Sequence, residues 1–176
     1  MSRASPKKPA GAPVVVNGWT LFAHPLFLEQ LRALTQDVVD LQRKDPKGYI
    51  HKNATKRLAA IRQLAFEVIP QDPTRPEYRQ GDTLGETHRH WFRVKFFQQY
   101  RLFFRFHAPS QTIVYAWVND EATKRAYESR QDAYRVFSRM LESGHPPDDW
   151  SQLLTEAQRS DPPLTLHSPS ALNVWD

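Results

Sequence analysis

Between Glu86 and Phe106 the chain carries Arg89, Arg93, Lys95, Arg101 and Arg105 against a single acid, Glu86. Guanidinium groups meet phosphate oxygens through paired hydrogen bonds, and the aromatic residues among these cations, Trp91 and Phe103 in particular, supply ring faces on which bases can stack. Charge interleaved with rings in this way suits RNA with splayed bases. The sequence has no cysteine, which excludes thiolate nucleophiles, disulfides and Cys-based zinc sites. His88-Arg89-His90 is the remaining candidate for metal or acid-base work. No carboxylate cluster accompanies it at ligand spacing, so these histidines are read as structural and neither a metal nor a cofactor is expected. His24 and His145 each precede a proline at an element boundary, which suits a cap or a turn. Asn119-Asp120-Glu121 is read as a helix start.

The cations must be positioned by strands. Three runs dense in aromatic and β-branched residues, His90 to Phe97, Tyr100 to His107 and Thr112 to Val118, are separated by connections too short for a crossover helix, which predicts an antiparallel meander. Alternation puts Trp91, Arg93, Lys95 and Phe97 on one face of the first run, and Arg101, Phe103 and Arg105 on one face of the second. Whether these faces coincide depends on hairpin parity, because a one-residue slip inverts every side chain. A two-residue loop of Gln98 and Gln99 would place Lys95 opposite Leu102 and lacks the Asn-Gly chemistry such loops favour. A three-residue loop, Phe97 to Gln99, pairs Phe96 with Tyr100, Lys95 with Arg101 and Val94 with Leu102, and sets Trp91 beside Arg105. The expected sheet therefore has one apolar face and one open face carrying Arg93, Lys95, Arg101 and Arg105. A solvated sheet face would look similar, but like charges directly across a sheet repel, and an anion between Lys95 and Arg101 resolves that cost.

The rest of the chain supplies the support. Residues 1–16, rich in Pro, Gly, Ser and Lys, read as a disordered arm. Pro25 suits a first helical position, and Phe27, Leu31, Leu34, Val38 and Leu41 follow at helical spacing. Asn53 is placed as the cap of a second helix, with Ala54, Leu58, Ile61, Ala65 and Val68 on its stripe and Pro70 at its end. The two stripes predict a helical hairpin against the apolar face of the sheet. Asn119 or Asp120 is placed as the cap of a short helical turn, Asp132 as the cap of a helix through Val136, Phe137, Met140 and Leu141 that ends at Gly144, and Asp148 or Asp149 as the start of a last short helix. Residues 159–176 read as a loosely ordered tail in which Leu172, Val174 and Trp175 are available for docking. The fold class is α+β, with one domain over residues 17–158. The formal charge of +5 and a pI near 9.6 favour an acidic partner. No apolar stretch is long enough to span a membrane, and a soluble cytoplasmic protein is expected.

Four segments, NGWTLFAHP (Asn17 to Pro25), HWFRVKFFQQYRLFFRF (His90 to Phe106), WVNDEATKRAY (Trp117 to Tyr127) and DAYRVFSRMLESGHPPDDW (Asp132 to Trp150), resemble the YhaV toxins within the RelE-like group. The resemblance implies a RelE-like fold with a first short strand near Tyr78 to Leu84, and an RNA-cleaving growth inhibitor neutralised by a PrlF-like antitoxin of the AbrB type. It also implies that the toxin-antitoxin complex binds operator DNA. Its basic strand residues fall on Arg93, Lys95, Arg101 and Arg105. Where RelE-like toxins carry a His or Arg with a Tyr after the last strand, this chain has Asn119, Asp120, Lys124, Arg125 and Tyr127, which adds Lys124 and Arg125 as RNA contacts. Metal-free RNA cleavage requires a base for the ribose 2′-OH, fixed positive charge on the phosphorane and an acid for the leaving 5′-oxygen. Arg93 and Arg101 fit the second role, while Lys95 and Tyr127 stand unranked for proton transfer. The alternative is a nucleic-acid-binding regulator that uses the same cations without catalysis. Whether the RNA is met on the ribosome is left open.

Overall fold

The computed structural model describes residues 14–120 and 132–159. The first two strands, β1 (Val14–Val16) and β2 (Trp19–Ala23), form a hairpin around Asn17 and Gly18. Both turn residues have positive φ, 50° and 81°, the backbone that a two-residue turn between right-twisted strands demands and that Asn-Gly adopts readily. Residues 14–16, expected in the arm, are therefore the edge of the sheet. Helix α1 (Pro25–Lys44) starts on His24, whose Nδ1 accepts from the Leu26 amide at 3.2 Å, so the cap role read from the sequence holds. Helix α2 (Asn53–Gln63) has Lys52 rather than Asn53 at its cap, and runs on through a π-helical turn, Leu64–Val68, and a 3-10 turn, Ile69–Gln71, that contains Pro70.

Strands β3 (Phe92–Phe96), β4 (Tyr100–His107) and β5 (Thr112–Val118) form the expected antiparallel meander. The sheet as a whole is mixed, in the order β1-β2-β5-β4-β3, because β2 lies parallel to β5 with Leu21 beside Ile113 and Ala23 beside Tyr115. The expectation of a purely antiparallel sheet thus fails at β2: the long return through α1 and α2 brings the chain in at the far edge as β3, running in the direction of β2, and the meander then lays β5, in that same direction, beside β2. Beyond Ala23, Gln30 of α1 takes the place of a strand, giving its Nε2–H to the Val118 carbonyl and accepting from the Val118 amide. The short strand implied near Tyr78 to Leu84 does not form. Pro76–Tyr78 is a 3-10 turn, and only Arg79 makes a bridge, to Phe92.

Two further helices, α3 (Ala133–Glu142) and α4 (Trp150–Gln158), start on the caps Asp132 and Asp149. Gly144, with φ of 78°, follows α3 as expected. One face of the sheet, including Val94, Phe96, Leu102, Phe104 and Tyr115, packs with Phe27, Leu34, Val38, Leu58 and Ile61 of α1 and α2. The other face, with Trp91, Phe103, Val114, Ala116 and Trp117, packs with Tyr134, Phe137, Leu141, Leu153 and Ala157 of α3 and α4. That second face was expected to be open. β5 explains the difference: Thr112–Val118 is buried at every position, and a run without polar alternation is the pattern of a strand covered on both sides. No helix among the described residues is long and apolar enough to cross a membrane.

Candidate nucleic-acid site

Hairpin parity is as the sequence predicts. Phe96 pairs with Tyr100, Lys95 with Arg101 and Val94 with Leu102, and in the three-residue loop Phe97 and Gln98 take positive φ, 45° and 64°. Asn119 staples this loop to β5: its Oδ1 accepts from the Arg101 amide at 2.6 Å and its Nδ2–H reaches the Gln99 carbonyl at 2.9 Å, while the helical turn that Asn119 or Asp120 was expected to cap lies outside the described residues.

The cations share one face of the sheet, as expected, but not one environment. Lys95 is exposed. Arg93 and Arg101 are only 8% and 7% exposed, because α3 lies over them. Both Nε–H groups point at one atom: Arg93 donates to the Tyr134 hydroxyl at 2.9 Å and Arg101 at 3.1 Å. The Arg93 fork also holds the Glu77 carbonyl at 2.8 Å, and that of Arg101 the Gln98 and Tyr100 carbonyls. Tyr134 stands in the first turn of α3, where Asp132 accepts from its amide, and lines an open cleft of about 650 Å³ with Thr83, His88, Arg135 and Arg139. Sequence reasoning missed Tyr134. It lies two residues after the Asp132 cap, on the same buried stripe as Phe137 and Leu141, and a tyrosine whose hydroxyl needs a partner on that stripe was the available signal.

Trp91 and Phe103, expected as stacking platforms for bases, are fully buried. Trp91 meets Phe137 edge-on at 5.0 Å, and Phe103 stacks on Phe137 at 4.3 Å and on Trp117 at 5.9 Å. Their rings anchor α3 and offer no face to a ligand. Arg105 lies over the rings of Trp91 and Trp150, at 5.6 and 5.4 Å, and donates to the Asp148 carbonyl at 2.6 Å. Burial lowers its pKa, with Asp148 and Asp149 opposing the shift. Arg89 is held by Asp82 at 2.6 Å on the surface. Lys124, Arg125 and Tyr127 lie outside the described residues.

A second cluster was not anticipated. Asp148 approaches His88 and His90 from the α3–α4 connection, and its Oδ1 lies 3.0 Å from His88 Nδ1 and 2.8 Å from His90 Nε2, and accepts from Trp91 Nε1 at 2.8 Å. The premise that these histidines lack a carboxylate is therefore corrected. The partner is nearly 60 residues away in sequence, so local spacing could not show it. Burial alone would raise the Asp148 carboxyl, but the hydrogen bonds from Trp91 and then His90 outweigh it and hold the pKa below the usual value.

On this α+β domain, two buried guanidiniums of a strand pair converge on one phenol, and the tyrosine that carries it also lines an open cleft. The family model that matches residues 21–158 describes a toxin with endonuclease activity of a toxin-antitoxin system, and the chain belongs to this YhaV toxin family. It is 46% identical over 150 residues to Toxin YhaV of Escherichia coli O6:H1 (strain CFT073), covering 84% of this chain and 97% of that protein. It is 45% identical, with the same coverage, to the Ribonuclease toxin YhaV of Escherichia coli strain K12. No solved structure matches.

Proposed function

We propose that this toxin is a metal-independent endoribonuclease, an mRNA interferase that blocks translation and growth, and that Tyr134 with Arg93 and Arg101 is its reactive centre. The observation that carries this reading is the convergence of both Nε–H groups on the oxygen of Tyr134, a residue that also lines a cleft. A base removes the proton from the ribose 2′-OH, the 2′-oxygen attacks phosphorus, and the bond to the 5′-oxygen breaks as an acid protonates it. The products are a 2′,3′-cyclic phosphate and a 5′-hydroxyl. Tyr134 is the proton carrier of the described site, and the two guanidiniums hold the negative charge that builds on the phenol oxygen or on the phosphate beside it. Lys95 and the Lys124–Arg125 pair guide the RNA backbone, and Tyr127 stands as a second proton carrier. The name of the K12 relative supports RNA as substrate. The reading extends to a RelE-like helical hairpin on the sheet, a PrlF-like AbrB-type antitoxin covering the basic surface, operator DNA bound by the complex, and action in the cytoplasm.

The test is cleavage of a defined RNA with EDTA present, at a temperature where the protein remains folded. Tyr134→Phe lowers the rate by about a hundredfold or more, the usual scale for a proton-transfer group. Arg93→Lys recovers little of wild-type activity, since an ammonium cannot reproduce the planar fork that sets the guanidinium on Tyr134 and the Glu77 carbonyl. A folded Tyr134→Phe protein that cuts at the wild-type rate would sink the assignment, and loss of cleavage in EDTA would sink metal independence.

A further inference from the structure

We propose that His88, His90 and Asp148 form a binding site for one divalent transition-metal ion of the zinc class, with His88 also lining the cleft that Tyr134 lines. His88 Nδ1, His90 Nε2 and Asp148 Oδ1 lie within 4.8 Å of one another. Both imidazole nitrogens already face the same carboxylate oxygen, at 3.0 and 2.8 Å. Tetrahedral coordination with bonds of about 2.0–2.1 Å sets ligand atoms about 3.3 Å apart, so admitting an ion asks each His–Asp contact to lengthen by no more than about half an ångström and the two imidazole nitrogens to settle at a similar spacing.

The surroundings favour an ion over a simple hydrogen-bonded cluster. All three side chains are half-buried, which leaves a side open for a water as fourth ligand. The cluster is held from behind: Trp91, fully buried, gives its indole N–H to Asp148 Oδ1, while Gln80 holds the His88 carbonyl at 2.8 Å. Such outer contacts orient ligands and keep a carboxylate lone pair aimed at the ion. When the ion enters, the imidazole protons leave the shared oxygen for the opposite ring nitrogens or for solvent, and the indole N–H keeps its contact. Two imidazoles and one carboxylate select zinc, cobalt, nickel or copper over magnesium and calcium, which take oxygen ligands. Arg105 on the Asp148 carbonyl adds a nearby positive charge, which weakens the site relative to one without it.

Bound there, the ion ties the turn before β3, which lines the cleft, to the connection between α3 and α4. Metal binding is read without RNA cleavage, so the proposal stands or falls independently of the cleavage mechanism. The full chain, stripped with chelator and returned to neutral pH, is titrated with Zn²⁺ by calorimetry and with Co²⁺ by visible absorption. One equivalent should bind, Co²⁺ should show the ligand-field bands of a four- or five-coordinate site, and the melting temperature should rise with Zn²⁺. Asp148→Asn and His90→Gln should each weaken binding at least about tenfold. Absence of saturable binding, or Asp148→Asn and His90→Gln proteins that both bind as the wild type does, overturns the proposal.

Discussion

Lys95 and Arg101 face each other across β3 and β4, yet their fates diverge. Arg101 has three carbonyl or hydroxyl partners beneath α3, whereas Lys95 remains in solvent. Removing them should therefore read out differently. Lys95→Ala leaves the fold intact, and if the ammonium meets one phosphate the log-log slope of RNA affinity against salt falls by about 0.7. An unchanged slope, measured by anisotropy across a salt series, would remove Lys95 from the RNA path. Arg93→Ala acts on more than chemistry. It strips Tyr134 and the Glu77 carbonyl of a buried donor, so it costs about 1–3 kcal/mol of stability besides activity. Thermal melts beside cleavage rates separate the two effects.

Among the elements, α3 has the double duty of closing the second core and presenting Tyr134. Its anchor is Phe137, fully buried between Trp91, Phe103 and Trp117. Phe137→Ala should cost about 3–5 kcal/mol. Tyr134 would then lose its fixed place over the arginines, and cleavage should fall further than the folded fraction alone accounts for. A variant whose activity per folded molecule equals that of the wild type would show that α3 does not position the site. At the other edge, Asn17-Gly18 sets the β1–β2 hairpin with both residues at positive φ. Gly18→Val, a β-branched residue at φ of 81°, should destabilise the domain by about 1–2 kcal/mol, visible as a lower denaturant midpoint.

Across the whole molecule the two helical layers meet at His24. It is 1% exposed at the start of α1, and its Nε2 lies 3.7 Å from Glu156 of α4, with the His145 ring 5.9 Å away. Burial lowers its pKa, and of the two neighbours Glu156 works against that shift while His145 adds to it. A base whose folded pKa lies below its unfolded value of 6.5 binds its proton more readily when unfolded. Stability is therefore complete above that value and falls as the pH drops below it, until the folded pKa is passed. The melting temperature should decline between about pH 7 and pH 5, and His24→Asn, which keeps a capping side chain, should flatten that decline. An equal decline in the variant would assign the effect to other groups.

What the sequence determined by itself is what local rules govern: the meander, the register of its first hairpin, the Asp132 cap, a last helix starting at Asp148 or Asp149, and the stripe of α1. Hairpin parity followed from side-chain alternation and loop chemistry, both of which act within a few residues. The family, too, was legible in segments such as HWFRVKFFQQYRLFFRF. The tertiary structure alone decided what covers the cations. A basic strand face reads the same whether solvent or a helix lies on it, and only the docking of α3, fixed by Phe137 far along the chain, turned Trp91 and Phe103 into core and brought Tyr134 onto Arg93 and Arg101. The same holds for Asp148 reaching His88 and His90 and for β2 lying beside β5. Such contacts are set by how layers pack, a property of the whole chain that no local window contains.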